Sequence, residues 1–296
     1  MHLSFGIKTA PQHTTYADVL RTWQEADDLP IFEHAWDFDH FMPLGSDPTG
    51  PCLEGWTLLA ALAAQTQRIR VGVMVTGNTY RHPAVLANMG ATVDIISGGR
   101  LDFGIGAGWN ELEHSAYGIP LYAPGERIRR LGEACAVIRT LWTEEAPDYA
   151  GQFYQLQGAR CEPKPIQQPH PPFVIGGGGE RLTLRVVAEY ADVWNFAGGP
   201  VETFTHKSQV LDEHCRAIGR DPASITRSVQ VGTDPADLPG VRERLRGFIQ
   251  AGATHLILYM GGPQVNLRGR EPFPAGICRR LASEIAEPLR DEFTDA

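Results

Sequence analysis

Eight times along this chain a short β-rich run is followed by a segment whose apolar residues recur at helical spacing. The runs are residues 3–8, 31–36, 69–75, 101–105, 173–175, 192–196, 226–231 and 255–259; the helical segments are 15–29, 54–66, 83–96, 124–142, 180–190, 200–218, 239–251 and 275–290. Tyr16, Val19, Leu20 and Trp23 mark one helical face, and Ile128, Leu131, Cys135, Ile138 and Trp142 hold the i, i+3/i+4 spacing over four turns. Several of the β-rich runs are almost continuously apolar, as strands buried on both faces are. Eight β-then-α units are the number that closes a parallel barrel of about 250 residues. The chain is therefore read as α/β, a (β/α)8 TIM barrel in one domain over residues 1–296. Residues 143–171 break the alternation, and the prolines at 163, 165, 169, 171 and 172 mark them as an extended insertion before strand five.

Charge narrows the partners. The chain carries 26 basic and 35 acidic side chains, a net charge of −9, which disfavours nucleic acid and anionic membrane. A small-molecule substrate is expected instead. The longest apolar run, around 58–64, is far shorter than a bilayer span, and the start has no basic n-region ahead of an apolar stretch. Five cysteines without a Cys-x-x-Cys pair read as reduced thiols. These features predict a soluble, cytoplasmic protein.

Glycine gathers where the strands end: Gly104, Gly106 and Gly108; Gly176, Gly177, Gly178 and Gly179; Gly198 and Gly199; Gly261 and Gly262. Each group alone is explained equally well by a tight βα turn. All four fall on the carboxyl rim, where barrel enzymes carry their chemistry, and together they favour a site there. Asp39-His40 directly follows strand two, so an imidazole able to exchange a proton near neutral pH stands on that rim. An Asp-His pair serves equally often as a loop hydrogen-bonding pair; position favours function. Gly104-Ile105-Gly106-Ala107-Gly108-Trp109 fails as a dinucleotide fingerprint because Trp109 replaces the third small residue. Trp109 is either a flat wall for a planar ring or simple loop packing. Gly176 to Gly179 lead into a helix whose first N–H groups can hold an anion, with Arg181, Arg185 and Lys207 the nearest cations in sequence. Glu111 and His114 have the spacing of a di-iron motif, but the required second copy is absent, and no metal site is expected.

Taken in order over nearly the whole chain, four segments resemble the luciferase-like monooxygenase superfamily. They are Asp39-His40; Val73-Met74-Val75-Thr76-Gly77-Asn78-Thr79-Tyr80-Arg81-His82-Pro83; Gly104-Ile105-Gly106-Ala107-Gly108-Trp109-Asn110-Glu111; and Pro171 through Glu180 followed by Ala191-Asp192-Val193-Trp194-Asn195. The match looks most similar to oxidoreductases that use the deazaflavin coenzyme F420. The resemblance implies a bacterial luciferase-like barrel with F420, or alternatively FMN, in the rim cavity. It assigns cofactor binding to Asp39, Met74, Val75, Thr76, Gly106, Ala107, Gly108 and Trp109, and to Gly176, Gly177, Gly178, Gly179 and Asn195, with the phosphate near the loops after strands five and six. It further implies a non-prolyl cis peptide at Met74-Val75, an insertion overhanging the cavity, a homodimer, and His40 as the group that exchanges a proton with substrate while a hydride moves to or from the coenzyme. Trp109 stands where sugar-phosphate dehydrogenases of the family carry a glutamate, which argues against their substrate and leaves part of the acid-base machinery unassigned. The alternatives on the same fold are an FMN-dependent monooxygenase and a non-catalytic flavin-binding protein.

Overall fold

The computed structural model describes residues 1–45, 47–261 and 273–294. All eight predicted strands form, as β1 (Ser4–Thr9), β2 (Phe32–Asp37), β3 (Arg70–Val73) with its continuation β4 (Thr76–Gly77), β5 (Leu101–Gly106), then β8 (Phe173–Gly176), β9 (Val193–Phe196), β10 (Thr226–Gly232) and β11 (His255–Met260); between β5 and β8 lie the short strands β6 (Tyr149–Ala150) and β7 (Gln155–Leu156). The barrel strands run parallel in the order β1, β2, β3, β5, β8, β9, β10, β11, and β11 pairs with β1 to close the ring. The helices outside it are α1 (Tyr16–Asp27), α2 (Gly55–Gln65), α3 (Pro83–Ser97), α4 (Glu111–Tyr117), α5 (Pro124–Thr143), α6 (Thr183–Tyr190), α7 (Val201–Ala217) and α8 (Leu238–Gln250), followed by α9 (Ile277–Leu281), a π-turn (Ala282–Ala286) and α10 (Glu287–Thr294). Among the described residues no helix is long and apolar enough to cross a membrane.

The barrel interior is filled around one large side chain. Trp36 packs with Met74, Val174 and Ile257, and the neighbouring strands make room by carrying glycine: a Cβ on Gly72 would come within 2.4 Å of the Trp36 ring. Below this layer, at the amino ends of the strands, the interior is polar. Asp102 accepts from His34 Nδ1 at 2.8 Å and from Arg70 Nε at 2.9 Å, and Gln167 from the insertion closes on Arg70 at 2.9 Å. Burial opposes ionisation of Asp102, but its bonds to His34 and Arg70 outweigh that and hold its pKa at about 2. The lower end is thereby plugged, and the rim at the carboxyl ends is left open.

Two differences from the sequence reading bear on the site. No residue of the insertion lines the rim cavity. Its hairpin, β6 and β7, lies against the outside of the barrel, because the Glu133 carboxylate on α5 gathers the N–H groups of Gln152, Phe153 and Tyr154 at 2.7–3.1 Å. Its later part, at Ile166 and Gln167, bonds to Asp94 near the opposite end of the barrel. Helix α4 is the second difference. It is missing from the eightfold alternation, and it lies in the connection from β5 to α5, where Asn110 caps its start and Gly118 ends it in the left-handed region.

Candidate active site

A cavity of about 500 Å³ opens at the carboxyl rim, the size range of a small-molecule site. Of the residues expected to serve the site, His40, Met74, Val75, Thr76, Gly106, Ala107, Gly108, Trp109, Gly176, Gly177 and Asn195 line it. The Met74-Val75 peptide is cis. Glycine at 106 is required by close approach, since a Cβ there would sit 2.8 Å from the Val75 side chain. Trp109 is 61% exposed and stands edge-on to His40, with ring centroids 5.8 Å apart.

Three expected residues lie off this wall. Asp39 is fully buried behind it, where Arg81 grips both carboxylate oxygens at 2.5 and 3.0 Å and Thr76 donates a further bond. Arg81 also pairs with Glu54, the residue that caps α2, so Asp39 ties the loop after β2 to the start of α2. Gly178 and Gly179 miss the wall because α6 starts at Thr183, three residues later than its sequence pattern predicts, and the chain has already turned outward. The expected cations follow the same correction. Lys207 bonds to the Gly178 carbonyl at 2.5 Å and to Glu180 at 3.3 Å, whereas Arg181 and Arg185 are exposed. The cations that line the cavity are instead Lys8 and Arg127, the latter bonded through Nη1 to the Gly108 carbonyl at 2.7 Å. Gly261 ends a described segment; Gly262 lies outside the described residues.

His40 is 8% exposed, and its Nδ1 lies 2.9 Å from Glu113 Oε2. Tyr80 O–H donates to the same carboxylate oxygen, and the Phe41 N–H donates to Oε1. Burial alone would raise the Glu113 pKa. The His40 hydrogen bond and charge, with the Tyr80 and Phe41 donors, outweigh it and hold the carboxyl below its ordinary range. Tyr80 moves the other way: burial, then the Glu113 hydrogen bond and charge, push its phenol well up, so it stays a donor. A carboxylate that engages Nδ1 fixes the tautomer and the ring plane, leaving Nε2 as the nitrogen for proton exchange. Cys52, whose thiol donates to the His40 carbonyl at 3.4 Å, is pushed up to about 12, chiefly by burial, and is no nucleophile.

In the sequence Glu113 lies inside the Glu111–His114 metal-type spacing, with nothing local to pair it with His40. That motif does not assemble. His114 bonds to the Asn110 carbonyl at 2.6 Å and to Thr79 at 2.8 Å, while Glu111 is exposed. Among the described residues no group of three or more potential ligands is placed to hold a metal ion. His82, another rim histidine, caps α3 by accepting from the Ala84 N–H at 3.2 Å.

The family described as luciferase-like monooxygenase matches residues 2–275. The chain belongs to this family. Luciferase-like relatives differ in cofactor. An F420-dependent glucose-6-phosphate dehydrogenase of Amycolatopsis mediterranei is 32% identical over 239 residues, 77% of this chain and 68% of the relative. An FMNH2-dependent dimethylsulfone monooxygenase of Pseudomonas putida is 31% identical over 170 residues, 57% of this chain and 46% of that protein. Among solved structures, an F420-dependent secondary alcohol dehydrogenase in complex with an F420-acetone adduct superimposes with a TM-score of 0.80 at 19% identity, covering 90% of this chain and 96% of that one. At that identity the likeness is one of fold, and the fold is the luciferase-like barrel.

Proposed function

We propose that this protein is an F420-dependent oxidoreductase that transfers a hydride between the deazaflavin and a small organic substrate, with His40 giving or taking the accompanying proton. The observation that carries the reading is the oriented His40 on a cavity whose β5 and β8 side is walled by Gly106, Ala107, Gly108, Gly176 and Gly177. A wall of backbone and methyl groups in a cavity of about 500 Å³ leaves room for a flat tricyclic ring. The residues therefore fit such a coenzyme: the glycine loops, Met74, Val75 and Asn195 would hold it, with Trp109 at its edge. When bound, a deazaflavin supplies two-electron hydride chemistry and activates oxygen poorly, which suits a reductase or dehydrogenase. The protein's own share is to exclude water, hold the substrate against the ring and move a proton at His40 Nε2. The FMN-dependent relative supports a monooxygenase on the same wall as the second reading.

Titration of the protein with F420 and FMN side by side, followed by tryptophan fluorescence, is expected to show much tighter binding of the deazaflavin. Equal affinity, or binding of FMN alone, would move the protein to the monooxygenase class.

The glycine loop allows a sharper test. Gly177 lines the cavity with a φ of +132°, a conformation a side chain disfavours, and a Cβ there meets Thr183 at 3.0 Å. Gly178 sits beyond the wall against the flexible Lys207 chain. Gly177→Leu is expected to weaken coenzyme binding at least tenfold and Gly178→Leu to leave it nearly unchanged, with the same far-ultraviolet circular dichroism in both. The reverse order of effects would place the coenzyme's anionic part further out, towards residues 195–199.

A further inference from the structure

One cavity group has no part in the chemistry above. Lys8 projects from β1 into the cavity, is 4% exposed, donates to Gln230 Oε1 at 2.9 Å, and lies 4.4 Å over the Tyr259 ring. A buried ammonium is expensive unless it meets a negative charge. Among the described residues, no aspartate or glutamate lines this cavity. The carboxyl whose charge Lys8 feels is Asp37, which is itself fully buried and, through burial and then the charges of Asp39 and Glu54, held well above the ordinary carboxyl range. Asp37 does not line the cavity, and neither of its carboxylate oxygens hydrogen-bonds to Lys8. Desolvation accordingly lowers the Lys8 pKa to about 7.

Placement says which molecule would supply the missing charge. Around the ring of eight strands, β1 is four places from β8 in either direction, so Lys8 stands across the cavity from the glycine loops after β8. The neighbouring strand, β2, leads to His40. A substrate lying against the glycine-walled side thus presents its far edge to Lys8 and His40 together.

We propose that Lys8 is a specificity-determining residue of this cavity, binding the carboxylate of a small organic monoanion whose adjoining carbon faces His40. This rests on the reading of the cavity as an active site and names the class of substrate it takes. One ammonium complements one negative charge, and the remaining Lys8 donors reach an oxyanion as charge-assisted hydrogen bonds. A neutral substrate would leave the cation uncompensated. Binding of the anion also restores the lysine's proton, since Gln230 on β10 and Tyr259 on β11 offer it no charge and that of Asp37 on β2 only partly offsets its burial.

Benzoate and its neutral isostere benzamide, titrated into the coenzyme-free protein, test this directly. Benzoate is expected to bind at least about tenfold more tightly, the least a charge-assisted hydrogen bond contributes in a desolvated site. Calorimetry in buffers of different ionisation heat at pH 8 should show proton uptake with benzoate and none with benzamide. In Lys8→Met, and in Lys8→Gln, which keeps a donor for Gln230, the preference should shrink to within about twofold and the proton uptake vanish. Equal binding of the two probes, failure of benzoate to bind, or a preference that survives both substitutions would overturn the proposal. Loss of the benzoate preference in the variants of a protein that binds neither F420 nor FMN would leave this assignment standing and remove the coenzyme reading. Normal coenzyme binding with a preference indifferent to Lys8 would do the opposite.

Discussion

Replacing His40 by alanine is expected to slow turnover by about 10² to 10⁴, the range for loss of a positioned general acid or base, while the coenzyme dissociation constant stays nearly unchanged. The split follows from where the ring sits. Its Nδ1 is committed to Glu113 at 2.9 Å, and the ring itself is wedged between Phe38 and Trp109, with centroids at 5.2 and 5.8 Å. It stands on the loop after β2, whereas the glycine wall that would hold a flat ring comes from β5 and β8. A histidine that merely packed the loop would behave differently, lowering thermal stability or coenzyme affinity and leaving the turnover of the loaded enzyme intact. A pH profile decides between these. Imidazole is the side chain that ordinarily ionises between pH 5 and 8, so an ionisation in that range should shape turnover in the wild type and be absent from His40→Ala. If it persists in the variant, the proton carrier is another group, and Lys8, whose pKa is lowered to about 7, or a substrate-bound water becomes the candidate.

The parts of this molecule legible in its sequence are those governed by local period. Strands buried on both faces and helices with one apolar stripe announce themselves within ten or twenty residues, and so did the rim, because glycine collects where β-strands turn. What stayed hidden depends on barrel closure. Glu113 and His40 are 73 residues apart, and nothing local says that α4 turns the carboxylate back onto the imidazole. His34 and Asp102, 68 apart, meet only inside the closed ring. Lys8 ends the run Ser4-Phe5-Gly6-Ile7-Lys8, where a charge reads as the solvent side of a strand; only the ring geometry turns it inward. Helix α4 could have been found, since Asn110 three residues before Glu113 and Gly118 at the end are a start and stop signal. The glycine run misled in the other direction. Four consecutive glycines suggested that all four cradle the ligand, whereas the late start of α6 and the Lys207 bond take Gly178 away from the wall.

Glu113→Gln should separate orientation of His40 from the proton transfer itself. The carboxylate accepts from three donors, His40 Nδ1, Tyr80 O–H and the Phe41 N–H, using both oxygens. An amide has one oxygen, so in either orientation its NH2 faces at least one of these donors, and a buried donor left without an acceptor costs about 1–3 kcal/mol. Glu113→Ala strands all three and is expected to lose about 3–5 kcal/mol, the range for removing one partner of a buried charged network. The pH dependence has a definite sign. Because the folded-state pKa of Glu113 lies below its ordinary value, the stability it contributes is fully present above the ordinary carboxyl range and is lost as pH falls through the folded pKa. The gap in melting temperature between wild type and Glu113→Gln should therefore be constant at neutral pH and narrow below about pH 4. Stability alone would not distinguish a structural carboxylate from one that positions His40, and ring ¹⁵N resonances of His40 do. They should report a single Nδ1–H tautomer in the neutral wild-type ring and a mixture in Glu113→Gln, accompanied by a fall in kcat of about 10- to 100-fold, as for other loss of groups that orient a histidine, with coenzyme affinity unchanged. An unaltered tautomer with unaltered kcat would reduce Glu113 to a fastening between α4 and the loop after β2, and His40 would then be oriented by its ring contacts with Phe38 and Trp109.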